Sequence, residues 1–400
     1  MSASPYLNNI PKISAMNFAV SFLIVMPVII PYWQSKGLSL QEVYQLQAVF
    51  GAVIVTLDLP AGYLSDLLSR KACLIAVGVL YGAASVLLGI GQTFWDFVAF
   101  EIVMALALCF YSGCDVAMIY DSLAAAGENS HPPGYYLGRR VFAAQMGESV
   151  ASLAGGMLAA SALFLPAKIN MITSWVPLIV AFTLKEPPRQ KLSSRHHAEN
   201  WREVFRFLRG SSSLLRSLMA MALLYGFASY LAVWIYQPYW KEVHIPLSWF
   251  GYLWMISNLL VAVIARFATR GENRWGFQRI KWIILFAPAV GYALMGSLMN
   301  VWGAAMLALF SLSRGLNQVI TISHINHHIP PAFRATLNSL VSMGVRAIFF
   351  IVGPWLGGWL DRKAFMSVCL GLALFYGVLA LYLGLRLRRE GDFGHATGSS

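Results

Sequence analysis

The sequence predicts an all-α, polytopic membrane protein with twelve transmembrane helices in two pseudo-symmetric six-helix bundles. The 400-residue chain is 58% hydrophobic and only 12% charged, whereas soluble domains carry roughly 25% charged residues. Apolar runs of about 20 residues, the length that crosses a bilayer as a helix, recur from end to end. Lys and Arg gather in alternate loops, as the positive-inside rule expects of a membrane protein. A nucleic-acid role for the net charge of +12 is therefore excluded.

The apolar runs between polar breaks define twelve spans, numbered 1 to 12 throughout. The first six are predicted at 12–34, 40–66, 72–91, 96–122, 137–162 and 168–184. The other six are predicted at 213–240, 247–269, 278–299, 301–325, 335–359 and 364–386. We accordingly expect an N-terminal bundle (1–184), a linker (185–212), a C-terminal bundle (213–388) and a tail (389–400).

The basic residues also predict the orientation. The side that holds both termini carries about 22 of the 29 Lys and Arg residues, so we expect this side to be cytoplasmic. In the linker, Trp201, Val204, Phe205 and Leu208 share one helical face. This spacing is typical of an amphipathic helix on an anionic membrane surface and equally of a soluble connecting helix.

A short echo links the two halves of the sequence. Pro31-Tyr32-Trp33 ends span 1, and Pro238-Tyr239-Trp240 ends span 7. Because both tripeptides fall at the predicted outer end of matching spans, they indicate a duplicated six-helix unit. Transporters with such repeats bind solute near the midplane, between the halves.

The most specific motif is "GYLSDLLSRK", at the predicted cytoplasmic end of span 2. Gly62, Asp66, Arg70 and Lys71 match the signature of the major facilitator superfamily, which the chain resembles over nearly its whole length. Leu67 and Ser69 depart from the signature. The resemblance implies a cytoplasmic gate in which Arg70 pairs with Asp121 at the inner end of span 4. The alternative is that these charges only orient the loop between spans 2 and 3.

The resemblance also implies that spans 1, 4, 7 and 10 line a solute cavity, and it favours the bacterial drug and metabolite branch. Aromatic and amide side chains suit organic solutes, so candidate solute contacts are Tyr230, Trp234, Gln237 and Asn317. Rings that face lipid are the alternative. An exporter signature in span 5 is only partly present, since Gly147, Gly155 and Gly156 fit but its Gly-Pro pair is missing.

Charged residues inside the predicted spans are costly and are therefore functional candidates. Glu148 and Asp115 are the predicted proton-coupling residues, because a buried carboxylate can exchange a proton near neutral pH. Arg314 and Arg346 either neutralise those acids or bind an anionic group of the solute. Permanent ion pairs between helices are the alternative for each of these residues.

We therefore expect a secondary transporter, not an enzyme, that exports small amphiphilic or drug-like solutes with proton coupling. No phosphate-binding loop signature occurs, which disfavours ATP-driven pumping. The expected partners are a small-molecule substrate, protons and the lipid bilayer of a bacterial inner membrane, with no cofactor or metal and a monomeric state. Transport of an anionic metabolite, such as a carboxylate siderophore, is the runner-up. A membrane-embedded enzyme and a non-transporting receptor are alternatives from other classes.

Overall fold

The structure is a computed structural model that describes residues 4–128, 130–131, 133–188, 206–330, 334–362 and 364–396. Helices form the regular structure, and no strand occurs among these residues. Eleven segments of the described chain are long and apolar enough to cross a membrane. Most of the predicted linker helix falls on residues 189–205, which lie outside the described residues.

The first six spans contain three uninterrupted and three broken helices. Spans 2, 3 and 5 are the helices Leu40–Leu67, Arg70–Ile90 and Pro133–Ser161. Span 1 comprises Asn9–Ser21, a 3₁₀ turn at Met26–Val28 and Ile29–Ser35. Span 4 comprises Phe94–Tyr111 and Cys114–Ala126, and span 6 comprises Leu165–Thr173 and Val176–Thr183.

The last six spans contain one broken helix. Spans 7, 8 and 9 are Ser213–Glu242, Leu247–Trp275 and Phe277–Leu298, and spans 11 and 12 are Arg334–Asp361 and Phe365–Ala396. Span 10 comprises Val301–Ala305, Leu307–Leu316, a π-helical turn at Asn317–Thr321 and Ile322–His327. A π-helical turn inserts one extra residue into a helix and is frequent at functional sites.

Spans 5 and 12 show where hydropathy is a poor guide. Span 5 forms a 29-residue helix close to its predicted bounds but is not among the eleven apolar segments, because Gln145, Glu148 and several Gly and Ser residues lower its mean hydropathy. The helix of span 12 continues to Ala396, well past its predicted end at residue 386. Its last turns are rich in Arg rather than apolar residues, so hydropathy alone did not reveal them.

The chain divides into two compact units. The first holds Met1–Leu192 with Pro246–Met255, and the second holds Ser193–Ile245 with Ile256–Ser400. The sequence placed all of span 8 in the C-terminal bundle, whereas its first residues group with the first unit. The reason is close backbone packing, since a Cβ on Gly251 would overlap the carbonyl oxygen of Ser152.

Span 1 breaks between Ser21 and Met26, and the freed backbone groups are bonded by a neighbouring span. The fully buried Asn170 accepts a hydrogen bond from Val25 N at 2.9 Å through Oδ1. Its Nδ2 donates to Phe22 O at 3.4 Å. Inside a bilayer an unbonded backbone group costs several kcal/mol, so Asn170 makes the break tolerable.

Tyrosine hydroxyl groups bond matching carbonyls in the two units. In the first unit Tyr81 of span 3 donates to Val20 O of span 1. In the second unit Tyr292 of span 9 donates to Ala228 O of span 7 at 2.8 Å. The two bonds therefore join corresponding pairs of spans.

The Pro-Tyr-Trp echo gives a second matching pair of bonds. Tyr32 donates to Leu88 O in the last turn of span 3 at 3.0 Å, and Tyr239 donates to Asn300 O in the turn between spans 9 and 10 at 3.3 Å. The neighbouring Trp33 and Trp240 are both 0% exposed. The echo residues therefore anchor helices within each unit in this conformation.

Spans 1 and 5 pack closely because span 5 presents glycine. A Cβ on Gly147 would overlap Phe18 O, and one on Gly155 would overlap Ile24 O. Small residues at helix interfaces let backbones approach in membranes, where van der Waals packing drives helix association. The glycines of the partial exporter signature thus have a packing role in the first unit.

We predict that Asn170→Leu lowers the thermal unfolding midpoint of the purified protein. The substitution leaves a buried N–H and a buried C=O unbonded, at about 1–3 kcal/mol for each group. Thr173→Ala is the control, because the Thr173 hydroxyl bonds only the carbonyl of Ile169 in its own helix. Equal midpoints for the two variants would contradict the assigned role of Asn170.

We also predict that Gly147→Ala destabilises the protein, whereas Gly377→Ala does not. Alanine favours a helix over glycine by about 1 kcal/mol, so only the clash with Phe18 O turns the effect of Gly147→Ala negative. Nothing lies within 4 Å of a Cβ built on Gly377. Thermal unfolding in detergent checks the pair, and a stabilised Gly147→Ala variant would refute the close contact.

Candidate functional site

A charge cluster forms where spans 3 and 4 meet at their predicted cytoplasmic ends. Ser69 caps the helix of span 3 by accepting from Ala72 N, which places Arg70 at the first helical position. The Arg70 side chain is 11% exposed, and its Nε lies 3.3 Å from Asp121 Oδ2. Charge-assisted hydrogen bonds of this kind are stronger than neutral ones.

Glu186 completes this cluster, although its position after span 6 gave no sequence signal. Its carboxylate accepts from Arg70 N at 2.9 Å and from Lys71 N at 2.7 Å. The first N–H groups of a helix have no acceptor within the helix. A negative charge at this end is also stabilised by the helix dipole. The end of span 6 is thereby bound to the start of span 3.

The remaining motif residues lie on the adjoining helix. Gly62 and Asp66 belong to the helix Leu40–Leu67, and their side-chain surroundings lie outside the described part of the chain. Lys71 contributes its backbone N–H to Glu186. The contacts of the described residues thus bring together Arg70, Asp121 and Glu186 of the predicted gate.

Asp115, one of the two predicted proton-coupling acids, is paired with a cation. Its side chain is 0% exposed and bonds Arg140 Nε on span 5. Gly113 precedes it with a positive φ of 83°, which breaks span 4 and starts the second helix just before Asp115. Asp115 thus lies in an interhelical ion pair in this structure, and its proton-coupling role stays a prediction.

Glu148, the other predicted acid, lies in the first unit on span 5. Its Oε1 accepts from Trp254 Nε1 at 3.0 Å. Indole N–H is a donor only, so this bond is compatible with a charged or a neutral carboxyl group. Trp254 stands on the part of span 8 that groups with the first unit.

Span 7 carries a buried aromatic wall in the second unit. Tyr225, Phe227, Trp234 and Tyr236 are each less than a tenth exposed, so they do not face lipid. Tyr230 is half-buried and packs edge-on against Phe349 of span 11, with ring centroids 5.2 Å apart.

Two predicted contacts on this wall are polar and buried. Gln237 is 1% exposed, and Trp234 Nε1 has no hydrogen-bond partner among the described residues. An unbonded buried N–H is costly. Trp234 therefore offers a donor that a bound solute could satisfy.

Arg314 is a half-buried cation just before the π-helical turn of span 10. Within the described part of its unit, no Asp or Glu forms an ion pair with it. It lies near the hydroxyl of Tyr236, which hydrogen-bonds Ser257. Ser257 in turn bonds Ser311 at 3.1 Å.

The turn that follows Arg314 leaves polar atoms unbonded. Asn317 is 5% exposed and donates through Nδ2 to Ala222 O at 3.3 Å, while its Oδ1 has no partner in the described chain. Arg346 on span 11 donates to Ser342 Oγ at 2.7 Å, and its Nε is likewise unbonded among the described residues.

His324, in the last helix of span 10, has an acidic partner that is distant in the sequence. His324 Nε2 lies 2.6 Å from Glu272 Oε1 at the end of span 8. The ring also packs on Phe277, with centroids 4.1 Å apart. The fold thus pairs His324 with an acid 52 residues away.

A sequence model of the Major Facilitator Superfamily matches residues 13–354. The chain belongs to this superfamily. It is therefore a multi-pass membrane transporter of small molecules by alternating access, rather than an enzyme. No curated protein matches the sequence.

Solved superfamily structures share the fold at low identity. The nucleoside transporter NupG matches with a TM-score of 0.75 and 14% identity over 95% of this chain and 99% of that chain. A bacterial homologue of the human lysosomal transporter Spinster matches with 0.73 and 15% identity over 97% and 98%. The D-xylose–proton symporter matches with 0.67 and 14% identity over 93% and 96%.

For the superfamily gate motif we predict energetic coupling between Arg70 and Asp121. In a double-mutant cycle, Arg70→Gln and Asp121→Asn should each lower the thermal unfolding midpoint, and the double variant should lose less than the sum. The expected coupling is about 1 kcal/mol, since the pair is partly solvent-exposed. Arg139→Gln, an exposed cation in the first turns of the span 5 helix, is the control. Additive losses would refute the pair.

Proposed function

We propose that this major facilitator is a proton-coupled exporter of small amphiphilic organic solutes. The observation that carries the organic-solute part is the buried aromatic wall of span 7 with its unbonded Trp234 N–H. Binding sites for organic ligands combine apolar and aromatic walls with a few polar groups that fix orientation. We further propose a monomer in a bacterial inner membrane with both termini cytoplasmic, as the basic loops favour.

The gate belongs to the same proposal. Arg70, Asp121 and Glu186 bind the ends of spans 3, 4 and 6 together on the predicted cytoplasmic side. Such a cluster must open if these helix ends separate during alternating access. Together with Gly62, Asp66 and Lys71, it is the proposed latch of the cytoplasmic gate.

Arg314 favours a second candidate, in which the solute is an organic anion. A cation in the middle of a span is costly unless it is paired, and Arg314 has no carboxylate partner in the described part of its unit. A solute carboxylate would supply the missing charge. Asn317, at the adjoining π-helical turn, would add an amide contact.

The solved structures do not choose between these solutes. They are named for nucleosides, D-xylose and a lysosomal transporter homologue, and at 14–15% identity they support the fold alone. The choice therefore rests on the chemistry of spans 7 and 10.

A thermal-shift screen of the purified protein tests the proposal. A ligand at 100 times its Kd stabilises the folded state by about 2.7 kcal/mol, so we expect a clear rise in the unfolding midpoint with amphiphilic compounds. The panel should contain neutral amphiphiles, cationic amphiphiles and organic carboxylates. Flux of the best compound into proteoliposomes, with and without a pH gradient, then tests proton coupling. Flux that ignores the gradient would refute coupling.

For the anionic candidate we predict that Arg314→Gln abolishes the shift given by carboxylates and keeps the shift given by neutral amphiphiles. Arg279→Gln is the matched control, since Arg279 is exposed at the start of span 9. Equal carboxylate shifts in wild type and Arg314→Gln would reject the anion site while leaving amphiphile transport standing.

A further inference from the structure

Span 4 contains a buried carboxyl group that the proposed site does not use. Glu101 is 2% exposed, and its Oε1 accepts from Gln47 Nε2 of span 2 at 2.6 Å. Gln47 is itself only 5% exposed. Among the described residues, therefore, the partner of this acid is a neutral amide.

The two residues lie at matching depths. Glu101 follows the helix start at Phe94 by seven residues, and Gln47 follows the helix start at Leu40 by the same number. At 1.5 Å per residue, both lie about 10 Å inside the ends of their helices. This depth falls within the apolar layer, whose thickness is roughly 30 Å.

Among the described residues, no charged side chain compensates Glu101. The elements packed around this half of span 4 carry a few titratable groups, which are Tyr32, Lys36, Glu42, Tyr44, Tyr81 and Asp96. None forms an ion pair or hydrogen bond with Glu101 in the described chain. Lys36, Glu42 and Asp96 each bond a neighbour at a helix end instead.

Asp115 and Glu101 are both buried acids, but they differ in whether a cation lies beside them. Asp115 is equally buried but forms an ion pair with the Arg140 guanidinium. An ionised carboxylate without such a partner is strongly disfavoured in a low-dielectric interior, and the group becomes neutral by binding a proton. The Gln47 amide can hydrogen-bond the carboxyl group in either state.

We propose that Glu101 binds the proton that this transporter couples to solute movement. Proton uptake forms an O–H bond on the carboxylate, and release breaks it, with no change of oxidation state. Gln47 is a positioning residue that holds the carboxyl group between spans 2 and 4. The proposal rests on the proton coupling of the proposed function and replaces Asp115, whose charge is already compensated, as its carrier.

The pH dependence of stability tests proton binding without any solute. If folded Glu101 keeps its proton while the unfolded chain releases it, stability falls as pH rises. Above about pH 5, where an unfolded glutamate loses its proton, the unfolding equilibrium constant of wild type should rise by up to tenfold per pH unit relative to Glu101→Gln. Glu242→Gln, an exposed acid at the end of span 7, should behave as wild type.

Two outcomes would overturn this assignment. The first is a Glu101→Gln variant that keeps the full pH dependence of wild type. The second is a Glu148→Gln variant that removes the dependence instead. Gln47→Leu should keep the dependence and lower the midpoint, as expected of a positioning residue. Because glutamine mimics the neutral acid in shape, Glu101→Gln should remain folded.

Proton movement in proteoliposomes tests the coupling itself. The probe is the organic carboxylate or amphiphile with the largest thermal shift, and trapped pyranine reports internal pH. Wild type should move protons when the probe is added, and Glu101→Gln should not, while its thermal shift with the probe persists. Proton movement equal to wild type rejects Glu101 but leaves the proposed function standing. The last outcome is that wild type moves no protons when the probe is added, while Glu101→Gln still alters the pH dependence of stability. This result rejects coupling but leaves proton binding at Glu101.

Discussion

The architecture depends on one constraint, which is that polar groups inside the apolar layer must find hydrogen-bond partners within the protein. Span 1 shows how the chain meets it. The helix breaks between Ser21 and Met26, and the apolar layer contains no water to bond the backbone N–H and C=O groups at the break. Asn170 bonds both sides of the break, and Tyr81 bonds Val20 O just before it. The break thus ties spans 1, 3 and 6 into one unit.

The second unit uses the same solution at corresponding positions. Tyr292 bonds a carbonyl of span 7 as Tyr81 bonds one of span 1. Tyr239 bonds the turn just after span 9, and Tyr32 bonds the last turn of span 3. Two matching pairs of long-range bonds are much stronger evidence for duplication than a shared tripeptide. They also explain why the Pro-Tyr-Trp echo persists, since each tyrosine has a structural partner.

Hydropathy and charge position could predict the class and most spans, because those signals are local. The motif resemblance also pointed to Arg70 and Asp121 as neighbours. Glu186, Gln47 and Glu272 left no signal, since each meets its partner across spans that are distant in the sequence. Spacing along a helix gives the depth of a residue but not which neighbour its side chain will meet. Asp115 illustrates the limit, because its burial could be predicted from its place in span 4 while its partner Arg140 could not.

The charged residues inside the spans differ in whether an opposite charge lies beside them, and this difference limits the role that each can have. The buried Asp115 has an opposite charge beside it, the partly exposed guanidinium of Arg140. Glu101 and Arg314 lack an opposite charge among the described residues of their own units. For the acid, the missing charge can be supplied by a proton. An arginine cannot lose its proton, so the missing charge must come from another molecule. A transporter that binds a proton in one unit and an organic anion in the other would make use of both.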